Sequence, residues 1–335
     1  MIRPSVLEIC AGAGGQSLGL EKAGFEHVGA VDNDADACKT LRLNRPSWHV
    51  LESDVAAIHG REFEGIDLLA GGVPCPPFSI AGKQLGQSDE RDMFPQALRL
   101  AKATRPRAIL IENVRGLAAK KFSSYRTALT NTLKDMGYVP FWRLLNASDY
   151  GVPQLRPRFI LVALRPEFAE RFEWPRPDSD SLTVGETIVD LMSAAGWPGA
   201  GRWAKKANRI APTIVGGSKK HGGPDLGPTR ARLEWQALGV DGRGIANEAP
   251  SAATDPDHVP RLTTRMVARI QGFEDSWFFS GGKTAAYRQV GNAFPPPVAA
   301  AIARSILEAL SPSSNGHTAL TTRQSRLRLA TTSAR

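Results

Sequence analysis

Cysteine is scarce: three residues in 335, at positions 10, 38 and 75, an odd count with no C-x-x-C pair. That gives no disulfide framework and no cysteine-based zinc site, and it fits a reducing compartment. The six histidines are scattered, with no H-E-x-x-H and no clustered pair, so no metal site is expected. No apolar run approaches the ~20 residues that a membrane-spanning helix needs. The opening segment, MIRPSVLEIC, has an acid inside its apolar run and lacks the layout of a signal peptide. A soluble, cytoplasmic protein with no membrane partner is expected. Acidic residues are also in deficit, 33 Asp and Glu against 42 Lys and Arg, for a net charge of +9. A basic surface can be inert, but this excess suits a polyanionic partner such as nucleic acid.

Apolar residues make up 42% and charged residues 22%, enough for a sizeable core, and 335 residues exceed the usual size of one domain. Val6–Cys10 reads as a short buried strand, followed by the glycine turn Ala11–Gly15 and a helical stretch, Gln16–Ala23. Glycines there let a ligand approach backbone N–H groups at a helix N-terminus. With Gly12 and Gly14 as the first two glycines, the third position of the dinucleotide fingerprint is Ser17, so that fingerprint is broken; a plain tight turn is the competing reading. His27–Val31 is a second strand ending in Asp32, placed to accept from ribose hydroxyls. Asp32, Asn33 or Asp34 would also cap a helix over Ala35–Leu43. Asp54 ends a third short strand, as an acceptor for an exocyclic amine or as an ordinary turn residue.

Ile66–Ala70 is the fourth strand, and it delivers Gly71–Ser79 (GGVPCPPFS). Pro74, Pro76 and Pro77 have fixed φ and no N–H, so Cys75 is expected in a rigid loop at a strand's C-terminal end. A thiol there is placed as a nucleophile; a small buried cysteine in a turn is the alternative. Ile80–Asp92 is a long polar loop, followed by a helix over Met93–Ala103. The strand Ala108–Ile111 brings Glu112 and Asn113 to the same edge, with Glu112 as a ligand-facing carboxylate or an ordinary solvated strand-end acid. A helix over Phe122–Met136 and strands over Val139–Leu145 and Phe159–Leu164 follow. Arg156 and Arg158 are two apart in Gln154–Arg158, so an extended segment projects both guanidinium groups to one side, toward phosphate or a base carbonyl, or simply into solvent as a surface pair. From about Arg165 to Pro260 regular periodicity fades, and Trp174, Trp197, Trp203 and Trp235 appear among basic residues. A loop-rich, Trp-bearing basic module suits groove binding, and 216–223 reads as a recognition loop or a flexible connector. A helix over Leu262–Gly272 and another over Val298–Leu310 close the chain, with Asn292 in a glycine turn before the last. The Arg-bearing stretch after Ser311 reads as a disordered tail.

These stretches together resemble the DNA (cytosine-5)-methyltransferase family, in order from about Val6 to Leu310. AGAGG-x₃-G looks like the family's S-adenosylmethionine loop, GGVPCPPFS its Pro-Cys motif, ENV its glutamate motif and QLRPR its Gln-x-Arg-x-Arg motif; RLTTRMVARIQGF and YRQVGNAFPPPVA look like its C-terminal motifs. The resemblance implies a doubly wound α/β fold with a mostly parallel sheet and a smaller loop-rich target-recognition domain. The expected division is 1–165 catalytic, 166–260 recognition, 261–310 returning to the catalytic domain and 311–335 tail. It implies S-adenosylmethionine as cofactor and a monomer acting on a short site in double-stranded DNA, with a separate cognate restriction endonuclease as a further partner. Cys75, Glu112, Arg156 and Arg158 would be catalytic. Cys75 would add to carbon 6 of a flipped-out cytosine, Glu112 would meet N3, Arg158 the base O2, and Arg156 would order the loop. Cys10, Ala11, Gly12, Gly14, Gly15, Asp32, Asn33, Asp54, Val55 and Asn292 would hold the cofactor. Ser79, Lys83, Gln84, Arg91, Lys219, Lys220 and Arg230 would touch DNA. Cys10 stands where the family often has Phe, and Pro76 where it often has Gln. The competing expectations are a silent DNA-binding relic of the fold, an RNA cytosine-5 methyltransferase and a nicotinamide oxidoreductase.

Overall fold

The computed structural model describes residues 3–73, 92–177, 182–217 and 223–312. The chain runs β1 (Ser5–Ile9), α1 (Gly15–Ala23), β2 (Glu26–Asp32), α2 (Ala35–Asn44), β3 (Val50–Glu52), β4 (Leu68–Gly72), α3 (Phe94–Thr104), β5 (Ala108–Val114), α4 (Ser123–Asp135), β6 (Val139–Asn146) and β7 (Pro157–Leu164). Helices follow: α5 (Pro166–Ala169), α6 (Val184–Ser193), α7 (Ala200–Lys206), α8 (Thr229–Ala237), α9 (Thr264–Ile270), α10 (Lys283–Asn292) and α11 (Pro296–Leu310). The seven strands lie in the order β3-β2-β1-β4-β5-β7-β6. β1 to β5 pair in parallel, and β7 runs antiparallel to both neighbours. This is the expected doubly wound, mostly parallel sheet.

Strand alternation sorts the core into two layers. Leu7, Ile9, Leu69, Ile109 and Ile111 face one side, against Phe94 and Leu100 of α3 and Leu129 and Leu133 of α4. Val6, Leu68, Ala70, Leu110 and Ile160 face the other, against Leu20 of α1 and Val298, Ile302 and Ile306 of α11. α1 and α11 meet closely: a Cβ on Gly19 would sit 2.5 Å from that of Ala299.

The middle of the chain is more regular than its sequence suggests. α6 begins with a capping box, Thr183 and Glu186 each satisfying the other's backbone N–H. Trp197, Trp203 and Trp235 are 3%, 5% and 0% exposed, so they form a core and offer nothing to a groove. That core also takes Ile188, Met192, Met266, Val267, Ile270 and Tyr287. Residues 261–310 therefore divide in their packing: α11 covers the sheet, while α9 and α10 join the core of the middle segment.

Candidate active site

The direction of chain progression reverses between β1 and β4, so a crevice opens at the C-terminal ends of β1, β4 and β5. The turn after β1 lies in left-handed conformations, with φ of 51° at Cys10, 55° at Gly12 and 88° at Gly14. Gly12 faces open space, with nothing within 4 Å of where a Cβ would stand. Its N–H donates to Asp32 Oδ2 at 2.8 Å, and Asp34 N donates to Asp32 Oδ1 at 2.8 Å. Asp32 thus ties the first turn to the second, and burial pushes its pKa up. Asp34, rather than Asp32 or Asn33, caps α2, accepting from Asp36 N at 2.9 Å.

β3 stops at Glu52, two residues short of Asp54, whose carboxylate caps a short helical turn through Ala56 N at 2.8 Å. Val55 is 4% exposed and its side chain lies in the sheet core with Leu7 and Ile9. Ala11 N donates to Val31 O at 3.0 Å, fixing the turn to β2. Asn292, at the end of α10, turns its amide to Gly217 O at 3.1 Å.

Gly14 and Gly15 are glycines because the space is filled. A Cβ on Gly14 would lie 2.5 Å from Trp277 Cζ2, and one on Gly15 2.3 Å from Phe294 O. Trp277 also donates its indole N–H to Ala13 O at 3.0 Å, across 264 residues of sequence. Gly14→Ala combines a φ of +88° with that clash. It should lower stability by about 2–4 kcal/mol, whereas Gly12→Ala should cost only about 1–2 kcal/mol of backbone strain. Urea unfolding of the two variants checks the ranking.

β5 continues three residues past the expected end, because it pairs with β7 as far as Val114↔Arg158. Glu112 therefore projects from within the strand. Residues 112, 114, 158 and 160 share one sheet face, and Arg158 Nε stands 2.6 Å from Glu112 Oε1 across the diagonal. Both side chains are mostly covered, at 12% and 13% exposed. On the other side, Gly72 of β4 pairs with Glu112 in register, and a Cβ there would be 3.4 Å from Glu112 Oε2. Beside it, Asn113 reaches toward Val73 O, 3.5 Å away at the root of the next loop. Cys75 follows Val73 by two residues; it lies outside the described residues, as do Ser79, Lys83, Gln84, Arg91, Lys219 and Lys220. Arg230 lies on α8 with its side chain 91% exposed, 3.3 Å from Glu234.

Arg156 does not join Arg158 in facing a ligand. It precedes Pro157, where β7 begins, so the alternation expected of an extended pair does not reach it. Its guanidinium is buried, donating to the carbonyls of Ile214 at 2.5 Å, Gly291 at 2.8 Å and Ala293 at 2.9 Å. Burial, then the nearby Arg158 charge, drives its pKa down. Gln154, missed in the sequence, is equally enclosed. Its Oε1 accepts from Ile214 N at 2.8 Å, and its Nε2 donates to Gln271 Oε1 at 2.5 Å. Gln271 in turn donates to Ala293 O at 2.8 Å. Gln154, Arg156 and Gln271 thus fasten the irregular segment at Ile214 and the α10–α11 junction to the stem of β7.

Residues 5–308 match the family model described as C-5 cytosine-specific DNA methylase. The chain is 58% identical over 315 residues to the Type II methyltransferase M.NaeI of Lentzea aerocolonigenes, covering 93% of this chain and 76% of that one. It is 54% identical to the Type II methyltransferase M.NgoMIV of Neisseria gonorrhoeae, covering 91% and 97%. Among solved structures, the Entamoeba histolytica methyltransferase EhMeth superposes with a TM-score of 0.67 at 16% identity, covering 93% of this chain and 100% of that one. The S. pombe Dnmt2 methyltransferase gives 0.60 at 19%, covering 93% and 100%.

Proposed function

The chain belongs to the C-5 cytosine-specific DNA methylase family, and on that footing we propose which of its residues carry the reaction. The activity is transfer of a methyl group from S-adenosylmethionine to carbon 5 of cytosine in DNA. When bound, S-adenosylmethionine supplies an electrophilic methyl on a sulfonium. The open left-handed turn at Gly12, flanked by the carboxylates of Asp32 and Asp54, fits its nucleoside end. Cys10, Ala11, Gly14 and Gly15 shape that turn, and Asn33, Val55 and Asn292 would complete the cofactor site.

Carbon 5 of cytosine is a poor nucleophile, and the Cys75 thiolate changes that by adding to carbon 6. The sulfur–carbon bond forms, and the electrons of the 5,6 double bond become available at carbon 5. Glu112, entering the step protonated, donates to the N3 edge of the ring as negative charge develops and takes the proton back when the ring is restored. Arg158 fixes the carboxyl group in place. Loss of the carbon-5 proton then expels the thiolate and restores the ring. A base inside a duplex must first leave the stack to reach these groups. Arg156 acts at a distance, as the strut for the chain around the site. Ser79, Lys83, Gln84, Arg91, Lys219, Lys220 and Arg230 contact the duplex. The protein works as a monomer beside the nucleoid on a short palindromic site, and a cognate restriction endonuclease acts separately.

The observation that carries this reading is the Glu112–Arg158 pair, 2.6 Å apart on the ligand-facing edge beside the stem of the Pro-Cys loop. Glu112→Gln keeps the shape and removes the shareable proton. It should lower the rate of methyl transfer about 10²–10³-fold with little change in DNA affinity. Full turnover by Glu112→Gln would remove Glu112 from the chemistry.

A further inference from the structure

The stretch after Glu112 carries cations with nothing to balance them. From Asn113 to Lys134 there is no Asp or Glu, against five basic residues: Arg115, Lys120, Lys121, Arg126 and Lys134. Arg126 is committed inward. Its Nη1 donates to Leu117 O at 2.6 Å and to Ala119 O at 2.8 Å, and its guanidinium lies 5.9 Å from the Phe159 ring. Leu117 and Phe122 are buried in the sheet core with Leu129. These anchors hold two single-turn helices, Arg115–Ala118 and Lys120–Phe122, as a fixed shelf between β5 and α4. Arg115, Lys120 and Lys121 lie exposed on it. Among the described residues none of the three meets a carboxylate, and Lys121 lies 5.1 Å from the centre of the Phe122 ring. Arg115 follows Val114, the last residue of β5, which pairs with Arg158. Tyr125, in the first turn of α4, donates to Asp92 Oδ2 at 2.5 Å, and Asp92 ends the polar stretch that follows Cys75. The shelf is therefore bounded by the Glu112–Arg158 pair at one end and by the return of the nucleophile's loop at the other.

We propose that Arg115, Lys120 and Lys121 form a phosphate-binding strip that grips the DNA backbone beside the flipped cytosine. The proposal rests on the reading of Glu112 as the residue that meets the base. A base drawn out of the duplex brings its sugar and flanking phosphates to the rim of the site. Three uncompensated cations on a rigid shelf at that rim repel one another, and a row of phosphates relieves the repulsion. Contacts to phosphate position a duplex and carry no sequence information. The strip therefore adds affinity and orientation, and target choice is left to other parts of the chain.

Steady-state methyl transfer by the full chain to unmethylated plasmid DNA, over a range of salt concentrations, tests this. Removing one cation that binds phosphate lowers the slope of log KM against log salt by about one. Lys120→Ala with Lys121→Ala should lower it by about two, and adding Arg115→Ala by about three in all. The triple variant's KM for DNA at physiological salt should rise about tenfold or more. Its kcat, its melting temperature, its affinity for S-adenosylhomocysteine and the sites it methylates, read by bisulfite sequencing, should match the wild type. Lys134 is the control, equally exposed but about 20 Å away at the other end of α4. Lys134→Ala should leave both slope and KM unchanged. An unchanged slope in the triple variant would overturn the proposal. An equal fall in Lys134→Ala would overturn it too, by making the effect one of net charge, and so would a loss confined to kcat. A wild-type chain that methylates no DNA would instead defeat the methyltransferase reading, and the proposal with it.

Discussion

Cys75→Ala is expected to lower methyl transfer to DNA by about 10⁴-fold or more, while binding of S-adenosylhomocysteine and of DNA stays close to that of the wild type. The size follows from the chemistry: without addition at carbon 6, carbon 5 has too little electron density to attack a sulfonium methyl. The other two cysteines cannot take over. Cys38 is fully buried, donates its S–H to Asp32 O at 3.4 Å, and has its pKa pushed up to about 11 by burial, with Asp32 and Glu52 adding to the effect. Burial raises the Cys10 thiol further still, with Asp32, Asp54 and Glu8 reinforcing it. A thiol with a raised pKa holds little thiolate at neutral pH, which disfavours both as nucleophiles. A tritium-labelled methyl transfer assay reads the loss. Appreciable turnover by Cys75→Ala would mean that the nucleophile lies elsewhere.

Arg156→Met should lose about 3–5 kcal/mol of stability, the largest effect expected of any single substitution outside the hydrophobic core. The buried carbonyls of Ile214 and Gly291 depend on one guanidinium, which shares the Ala293 carbonyl with Gln271. Methionine fills the volume and satisfies none of them. Arg156→Lys should recover only part of the loss, because an ammonium cannot present the planar fork that spans two carbonyl directions. Since the Gly291 and Ala293 carbonyls flank Asn292 and lead into α11, the variant should also unfold with its C-terminal helix less protected. Urea unfolding and amide exchange over 283–310 measure both. Unchanged stability in Arg156→Met would contradict the strut role.

How much of this was readable in the sequence depended on distance along the chain. The strand, glycine turn and helix over residues 5–23 announce themselves locally, because the period changes where the glycines fall. Glu112 was found, but not that it lies inside a strand: β5 is lengthened by pairing with β7, more than forty residues later. The capping box of Thr183 and Glu186 was a local signal passed over amid Gly, Pro and Trp. Trp197, Trp203 and Trp235 sit among basic neighbours that in the sequence suggest a groove-binding module, yet the middle segment needs a core, and large aromatics supply it. Gln154 and Gln271 meet across 117 residues. Arg156 and Arg158 look alike in the sequence; one serves carbonyls and the other a carboxylate, and only the chain brought to each from far away separates them.

The most direct test of the account is to map a covalent adduct. DNA copied with 5-fluorodeoxycytidine triphosphate carries the trap at every cytosine, so the target sequence need not be known. Fluorine at carbon 5 cannot leave as a proton does, so the enzyme stays attached after methyl transfer. After nuclease and protease digestion, mass spectrometry should find the methylated nucleotide on the peptide containing Cys75, and only when S-adenosylmethionine was present. A nucleotide on the peptides containing Cys10 or Cys38, or no adduct from a preparation that methylates ordinary DNA, would contradict it.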